Sequence, residues 1–351
     1  MNTSFKDQLQ TQANLTVLED DPLSKYTTIS IGGPAQFLGN VKTPDQMIQA
    51  LQAAQDHNIP VKVIGGGSNI LMPDEGYPGL IIRNQILIFE DIEIDQHIPA
   101  VQSIKPRFSQ IKELTNYSSD LNPAFQESDK PVFLKLGSGW KMNPLVLRCI
   151  KHHAIGLEWF SGIPGSVGGA IYMNMHGGEY YWSDFVVDVQ VASLNPHTNQ
   201  YTQKTLTNQQ LKFDYDYSIL HKTGDIVLTT TLKLYQGDKT HAQTIFNHWA
   251  KKKVTNQPQT SAGCMWQNLT QTQQKKAGLP TPSVGYIIDH ELGLKGHSIG
   301  SAKISDQHAA FIQNTGNATA SDVQSLLDLV ESQVKRKFGI QLHREVEIVK
   351  N

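Results

Sequence analysis

The sequence predicts an α+β protein with more than one domain, on three observations. The chain has 351 residues, which is more than one compact core usually holds. Apolar residues recur at helical spacing in some segments, whereas in others they alternate or form short β-branched runs. Glycine and proline are spread along the chain between these segments. We therefore expect helices and strands in two or three domains that share a ligand.

Helical and strand patterns alternate in the first half of the chain. Apolar residues at helical spacing follow a Thr-Pro-Asp start between residues 43 and 57, and a buried strand at 61–64 comes next. The polar stretch at about 91–130 is interpreted as an insertion or a long flap. Two further strands are expected at 80–82 and 132–136, and a helix at 145–153 with Cys149 as a small core residue.

The second half is rich in strands and contains one helix with strong sequence signals near its end. That helix, at 321–338, has a continuous apolar stripe, with Thr319 in its N-terminal cap and Gly339 at its end. We place a domain boundary at 237/238, where a Gly-Asp-Lys turn precedes a helix. Strands are expected at 186–194, 200–204, 226–235 and 345–349, and another helix at 242–253.

Composition and charge exclude several classes of protein. No segment approaches the roughly 20 apolar residues of a membrane helix, and the N-terminus lacks a secretory signal. The two cysteines, Cys149 and Cys264, lie far apart, which favours reduced thiols in a cytosol, and no cysteine or histidine spacing suggests a metal site. A formal net charge of -2 favours neither nucleic acid nor membrane as a partner. We expect a soluble, cytoplasmic monomer that binds anionic ligands locally.

The first glycine-rich loop follows directly after the predicted strand at 61–64. Residues without side chains let the backbone approach a ligand, and their N–H groups can converge on phosphate oxygens. The pattern differs from the glycine fingerprints of Rossmann and P-loop proteins. Taken alone, it is explained equally well by a tight turn. The loop consists of Gly65, Gly66, Gly67, Ser68 and Asn69.

A second loop, at 162–170, combines four glycines, a proline and a hydroxyl within nine residues. Such a rigid surface, rich in hydrogen-bond donors, suits a pyrophosphate, although an elaborate structural turn is the alternative. Each loop follows an apolar segment, and together the two suit one extended dinucleotide held at two places. The expected contacts are Gly162, Ile163, Pro164, Gly165, Ser166, Gly168 and Gly169, with Asn174 shortly after them.

Further motifs stand in a definite order around the two loops. They are Tyr26-Thr-Thr28 with residues 31–35, Glu158-Trp-Phe160, Met173-Asn174, 261–264, 293–296, Ser305 with His308, 314–320, and Leu342 with 345–346. In this order the chain resembles the UDP-N-acetylenolpyruvoylglucosamine reductases, also called UDP-N-acetylmuramate dehydrogenases. The resemblance runs almost end to end, apart from the insertion. It is to the shorter subtype of the family, because no extended segment precedes residue 261.

The resemblance implies a fold, a cofactor and a reaction. The fold is the vanillyl-alcohol-oxidase (PCMH-like) α+β type, with an FAD-binding domain at 1–237 and a smaller α+β substrate-binding domain at 238–351. The first domain has subdomains at about 1–73 and 74–237. FAD is the implied cofactor, contacted also by Tyr26 and Thr27. With NADPH as reductant, it would serve to reduce the nucleotide sugar UDP-N-acetylglucosamine enolpyruvate to UDP-N-acetylmuramate. Neither loop contains histidine or cysteine, which disfavours covalent attachment of the flavin there.

The resemblance also implies catalytic and substrate-binding residues in the second domain. The family's proton donor, a serine or cysteine after Ala-Gly, corresponds to Cys264. An ordinary thiol has a pKa of about 8.5 and so carries its proton near neutral pH, although a small buried hydrophobic residue is the alternative. The family's C-terminal carboxylate corresponds to Glu345, which would orient the enol or help to deliver the proton. Tyr215, Asn268 and Arg344 are expected to bind substrate.

One position departs from the family pattern in a chemically important way. Where the family has Tyr-Arg-x-Ser, with an arginine that stabilises negative charge on the substrate, this chain has Asp216. Two like charges about 4 Å apart repel by up to about 4 kcal/mol at an effective dielectric constant of 20. Either another cation (Arg344, His176 or Lys295) reaches the substrate carboxylate, or Asp216 points away, or the activity is weakened. We favour the first explanation.

Two other functions stay open from the sequence. Asp216 would permit another flavin oxidoreductase on the same scaffold, such as an oxidase of a small alcohol or sugar. A non-catalytic protein that binds FAD or a nucleotide sugar is the second alternative. The presence of Cys264 and Glu345, in order, favours the reductase.

Overall fold

The computed structural model describes residues 4–93, 123–126, 128–178 and 180–350. Most of the insertion predicted at 91–130 therefore lies outside the described residues. The helices are α1 (Phe5–Thr11), α2 (Pro44–Asp56), α3 (Met142–Lys151), α4 (Val167–Tyr172), α5 (Leu220–Thr223), α6 (Lys239–Asn256), α7 (Gln271–Ala277), α8 (Val284–Tyr286) and α9 (Ala320–Phe338). Short 3-10 helices occupy Leu23–Tyr26, Glu158–Phe160 and Trp182–Asp184, and a π-helical turn occupies Ile287–Glu291.

The strands form several sheets. They are β1 (Val17–Leu18), β2 (Asp21–Pro22), β3 (Pro34–Val41), β4 (Val61–Ile64), β5 (Ile70–Leu71), β6 (Tyr77–Asn84), β7 (Phe89–Asp91), β8 (Pro131–Gly137), β9 (His176–Gly177), β10 (Tyr180–Tyr181), β11 (Val186–Asn195), β12 (Gln200–Thr207), β13 (Ile226–Tyr235), β14 (Ser261–Cys264), β15 (Ser298–Ile299), β16 (Ala302–Ile304), β17 (Phe311–Asn314) and β18 (Glu347–Ile348). Their orders are β12-β11-β13-β8-β7, β14-β17-β16-β15 and β1-β3-β6-β4 with β2 on β3, besides the pairs β9-β10 and β5-β18.

The chain divides into two compact units. The first comprises Met1–Val17, Gly39–Gly65 and Ile81–Lys253, and the second Leu18–Leu38, Gly66–Leu80 and Val254–Asn351. The later boundary between these compact units falls after Lys253, because α6 packs into the core of the first unit through Ala242, Ile245 and Trp249. The separate FAD-binding and substrate-binding domains, with their boundary at 237/238, stay a prediction.

The first unit is built on the antiparallel sheet that contains β11, β13 and β8. Strand β13 lies between the other two and is buried along most of its length, as expected of a central strand. Helix α3 adds Leu145, Val146, Cys149 and Ile150 to the same core. Cys149 is only 1% exposed, and burial raises the pKa of its thiol, so its predicted place in the core is confirmed.

The second unit packs α9 with the sheet β14-β17-β16-β15 in one core. The predicted stripe of α9 is buried: Val323, Leu326, Leu327, Val330 and Val334. Thr319 and Asp322 form a reciprocal capping box at its start, and Gly339 ends it with φ +67°. The sequence signals for this helix are therefore confirmed at both ends.

The other predicted strands and helices are present with small shifts in their ends, but the last strand is shorter than predicted. It covers Glu347–Ile348 rather than 345–349, because it pairs in parallel with β5, which is only two residues long. Within the described ranges, no helix combines the length and apolar character that a membrane crossing requires.

Candidate functional site

The two glycine-rich loops meet in the first unit, at Gly65 and Ser166. A Cβ atom built on Gly65 would lie 2.0 Å from Ser166 Oγ, a distance that no side chain tolerates. Ser166 is itself fixed, since it is 3% exposed and its hydroxyl accepts a hydrogen bond from Gly169 N as the N-cap of α4. The absence of a side chain at residue 65 is thus what lets the first loop contact the second.

The second loop is held from both sides by neighbouring elements. Gly162 has φ +77° and donates its N–H to Asn143 Oδ1 at 2.7 Å, and a Cβ here would lie 2.8 Å from Lys253 Cβ on α6. Val167 N donates to Trp140 O at 3.0 Å and Gly168 N to Ser138 O at 2.8 Å. These two N–H groups are satisfied within the protein, so an anionic ligand would have to use other donors of the loop.

In the second unit, the rest of the first loop packs on the segment that contains Tyr26 and Thr27. A Cβ on Gly67, which has φ +63°, would lie 2.0 Å from Tyr26 O. Thr28 N donates to Gly67 O at 2.9 Å, and Thr27 Oγ1 donates to Ile31 O at 2.9 Å. The Tyr26 hydroxyl donates to Asp21. Residues predicted separately as flavin contacts are therefore neighbours in space.

The end of the first loop also lies beside the predicted catalytic segments of the second unit. Asn69 Nδ2 donates to Glu345 O at 3.1 Å, and Glu345 N donates to Met265 O at 3.0 Å. Cys264, at the end of β14, is half-buried and pairs with Phe311. A Cβ on Gly263 would lie 3.7 Å from Ser68 O. The unit thus brings the loop, the Cys264 segment and the Glu345 segment together.

Arg344 lies in a network of acidic side chains. Its guanidinium contacts Glu331 at 2.6 Å and Asp328 at 2.8 Å, and hydrogen bonding to Glu331 raises its pKa. Trp266 Nε1 donates to the same Glu331 carboxylate at 3.1 Å. These contacts tie the chain next to Glu345 to α9, and the predicted contact of Arg344 with substrate stays a prediction.

The remaining substrate-binding predictions fall at separate places. Asn268 Oδ1 accepts a hydrogen bond from Val284 N at 3.2 Å, at the start of α8 in the second unit. Lys295, one of the alternative cations, is paired with Asp289 at 2.8 Å in the same unit. Tyr215 lies in the first unit, where its ring stacks on His176 with centroids 5.4 Å apart.

Asp216 is buried and faces His176. Its side chain is 3% exposed, its φ is +49°, and its Oδ1 lies 3.5 Å from His176 Nδ1. Its other oxygen, Oδ2, accepts no hydrogen bond from any residue that the structure describes. The position that departs from the family pattern is therefore occupied by a buried carboxylate that faces a histidine.

The turn that carries Asp216 is attached to the end of α4. Asn174 is 1% exposed, and its Nδ2 donates to Asp214 O at 3.0 Å while its Oδ1 accepts from Ser183 N at 3.0 Å. Ser218 Oγ donates to Tyr172 O at 2.7 Å. Both polar atoms of Asn174 thus serve the protein framework, and its predicted flavin contact stays a prediction.

Glu158 is a buried acid to which the sequence assigned no role beyond its place in a motif. It is fully buried, and this burial raises its pKa to about 7. Gly156 N donates to its Oε2 at 2.8 Å, whereas Oε1 has no partner in the described part of the chain. The sequence signal for a buried acid was a carboxylate directly before two large apolar residues, Trp159 and Phe160, next to the second loop.

Comparisons with known proteins found matches over nearly the whole chain. Residues 255–349 match the family described as UDP-N-acetylenolpyruvoylglucosamine reductase, C-terminal domain. The chain is 32% identical over 339 residues to the UDP-N-acetylenolpyruvoylglucosamine reductase of Bacillus licheniformis, covering 95% of this chain and 94% of that one. It is 31% identical over 356 residues to the enzyme of the same name from Agathobacter rectalis, covering 99% of each.

A solved structure extends the match to the fold. The crystal structure of UDP-N-acetylenolpyruvylglucosamine reductase from Thermus caldophilus has a TM-score of 0.67 and 27% identity, with 96% of this chain and 99% of that chain covered. The fold and the matches define an oxidoreductase of the α+β class. The chain belongs to the UDP-N-acetylenolpyruvoylglucosamine reductase family. The predicted class and the resemblance are thereby confirmed.

Proposed function

We propose that this protein reduces UDP-N-acetylglucosamine enolpyruvate to UDP-N-acetylmuramate, a step in peptidoglycan precursor synthesis, with FAD as cofactor and NADPH as reductant. The observation that supports this best is the hydrogen-bonded cluster of Asn69, Met265 and Glu345, which sets the first glycine loop beside the Cys264 segment. Membership of the reductase family over nearly the whole chain supports the same reaction. We also propose that the enzyme acts as a monomer in the cytoplasm.

The residues of the two loops fit a dinucleotide such as FAD. Neither loop carries a charged side chain, so a pyrophosphate would be held by backbone N–H groups and hydroxyls. The close approach of Gly65 to Ser166 supports a single ligand held by both loops in the first unit. Bound FAD would supply hydride transfer from NADPH to the enolpyruvyl double bond.

The chain's own residues would then supply acid catalysis and orientation. The Cys264 thiol would donate a proton to the carbon that does not receive the hydride, which completes the saturated ether. Glu345 would orient the enol or help to deliver that proton. Its backbone is fixed on either side by Met265 and Asn69, which supports a defined position for the carboxylate. Asn268, Tyr215 and Arg344 are proposed to contact the substrate.

An anaerobic titration tests the proposal in two steps. The purified protein should be yellow, lose its flavin absorbance on addition of NADPH, and regain it only when the enolpyruvyl sugar is added. UDP-N-acetylglucosamine, which lacks the enolpyruvyl group, is the control acceptor and should leave the flavin reduced. A colourless protein that takes up no FAD would indicate a binding protein of another kind. Reoxidation by a small alcohol's oxidation product, but not by the sugar, would indicate another flavin oxidoreductase.

A further inference from the structure

His176 and Asp216 form a pair that the reaction described above does not use. The Asp216 carboxylate is buried, and a buried carboxylate is costly unless a cation or hydrogen bonds compensate it. His176 Nδ1 is 3.5 Å from one carboxylate oxygen, while the other oxygen has no hydrogen-bond partner in the described chain. In the protonated form of histidine both ring nitrogens are donors, so one can face a carboxylate of the protein and the other a second anion.

The rest of the environment holds the imidazole in place. His176 lies in β9 opposite Tyr181 of β10, with ring centroids 5.9 Å apart. On another side it stacks on Tyr215, with the ring planes 30° apart. The side chain is 38% exposed. Nδ1 is the ring nitrogen that faces Asp216, and Nε2 has no protein partner among the described residues.

This pair belongs to the surroundings of the second glycine loop. Asn174 Nδ2 and Ser218 Oγ hold the Asp216 turn to the end of α4, and the preceding residues of α4 begin in the loop at Ser166. His176 follows Asn174 by two residues. The donor is therefore fixed relative to the loop proposed to bind FAD, within the same unit.

We propose that the imidazolium form of His176, oriented by Asp216, binds the enolpyruvyl carboxylate of the substrate. This inference rests on the proposed function. In that form the imidazole offers one directed N–H donor beyond Asp216, which suits a monoanionic carboxylate better than a phosphate group. The other cations considered, Arg344 and Lys295, each face carboxylates of the protein. In this arrangement Asp216 acts as a positioning residue.

The test uses the FAD-loaded enzyme and separates its two half-reactions. The enzyme is reduced with NADPH without oxygen and mixed with increasing enolpyruvyl sugar in a stopped-flow instrument. For His176→Gln we expect the sugar concentration for half-maximal reoxidation to rise at least about tenfold, with reduction by NADPH unchanged. His176→Arg keeps a cation and should restore much of the loss. His197→Gln, in an exposed turn, is the matched control and should behave as wild type.

Asp216→Asn gives a second readout that a structural role would not produce. It replaces a buried carboxyl group that has one unpartnered oxygen, so the melting temperature should not fall, whereas the sugar concentration required should rise. Wild-type kinetics in His176→Gln would overturn the inference and leave the proposed reaction intact, as would a defect confined to NADPH reduction. A wild-type enzyme that the sugar fails to reoxidise would instead overturn the proposed function itself.

Discussion

The side-chain amide of Asn69 donates a hydrogen bond to the backbone carbonyl of Glu345, with the two atoms 3.1 Å apart. Glu347 N returns a hydrogen bond to Asn69 O at 3.1 Å. The last residue of the first glycine loop is therefore part of the scaffold that positions the proposed catalytic carboxylate. The sequence predicted Asn69 only as a flavin contact, whereas in the structure its side chain also supports the Glu345 segment.

Replacing Asn69 with alanine should loosen the Glu345 segment. The carbonyl of Glu345 would lose its half-buried donor, so we expect the free energy of unfolding to fall by about 1 kcal/mol and reoxidation by the enolpyruvyl sugar to slow. Chemical denaturation and stopped-flow kinetics measure the two effects. Asn317→Ala, at an exposed position of the same unit, is the control. Unchanged stability and unchanged reoxidation would contradict the positioning role.

A side chain at residue 65 should separate the two glycine loops. In Gly65→Ala the new Cβ would lie 2.0 Å from Ser166 Oγ and 3.0 Å from Ser166 Cβ, so the Ser166 side chain or one of the loops must shift. We expect weaker FAD binding, measured as the flavin retained per protein after dialysis. The double variant Gly65→Ala with Ser166→Gly removes both obstructing atoms and should recover binding in part.

Gly316→Ala is the matched control for this experiment, because no atom lies within 4 Å of the added Cβ. It should retain flavin as wild type does. If Gly65→Ala also retained its flavin fully, the contact between the loops would not matter for the cofactor, and the proposed dinucleotide site would be wrong.

The raised pKa of Glu158 leads us to expect an unusual dependence of the protein's stability on pH. Its pKa is raised by burial from an ordinary 4.5 to about 7 in the folded protein. Below about pH 4.5 it is protonated in both states and has no effect, whereas between 4.5 and 7 only the unfolded state releases the proton. Stability should therefore fall as pH rises through this window, by up to about 3 kcal/mol.

The variant Glu158→Gln removes this titration and retains an acceptor for Gly156 N. Its free energy of unfolding, relative to wild type, should increase from pH 5 to pH 8 when measured by urea denaturation. Glu90→Gln, at an exposed strand position, is the control, and its curve should run parallel to that of wild type. Parallel curves for Glu158→Gln as well would show that the buried acid does not titrate as proposed.

Local patterns predicted the elements of the fold well, because they depend on nearby residues. The apolar stripe and caps of α9 are a direct example, since Thr319, Asp322 and Gly339 act within one turn of the helix ends. The end of the first compact unit depends instead on distant residues. It lies within α6, because the turn at 237/238 sets only the start of this helix, whereas its burial depends on the core that it joins.

The sequence predicted which residues belong to the candidate site, but not which of them contact each other. Motif order pointed to Gly65 and Ser166 separately, yet their contact depends on how the strands and helices between them pack. Asp216 stood out in the sequence, and His176 was one of three cations considered for the substrate. Nothing local in the sequence predicted that these two side chains would face each other, because their segments meet through the folded end of α4 and the stacking of Tyr215 on His176.

The most direct measurement for the whole account compares the two half-reactions of Cys264→Ala with those of wild type. If the thiol is the proton donor, flavin reoxidation by the enolpyruvyl sugar should slow by about 10²- to 10⁴-fold, while flavin reduction by NADPH stays nearly the same. Cys264→Ser, which retains an exchangeable proton, should be slowed less, and Cys149→Ala should alter stability but neither half-reaction. Equal loss in both half-reactions of Cys264→Ala, or no loss in either, would contradict the account.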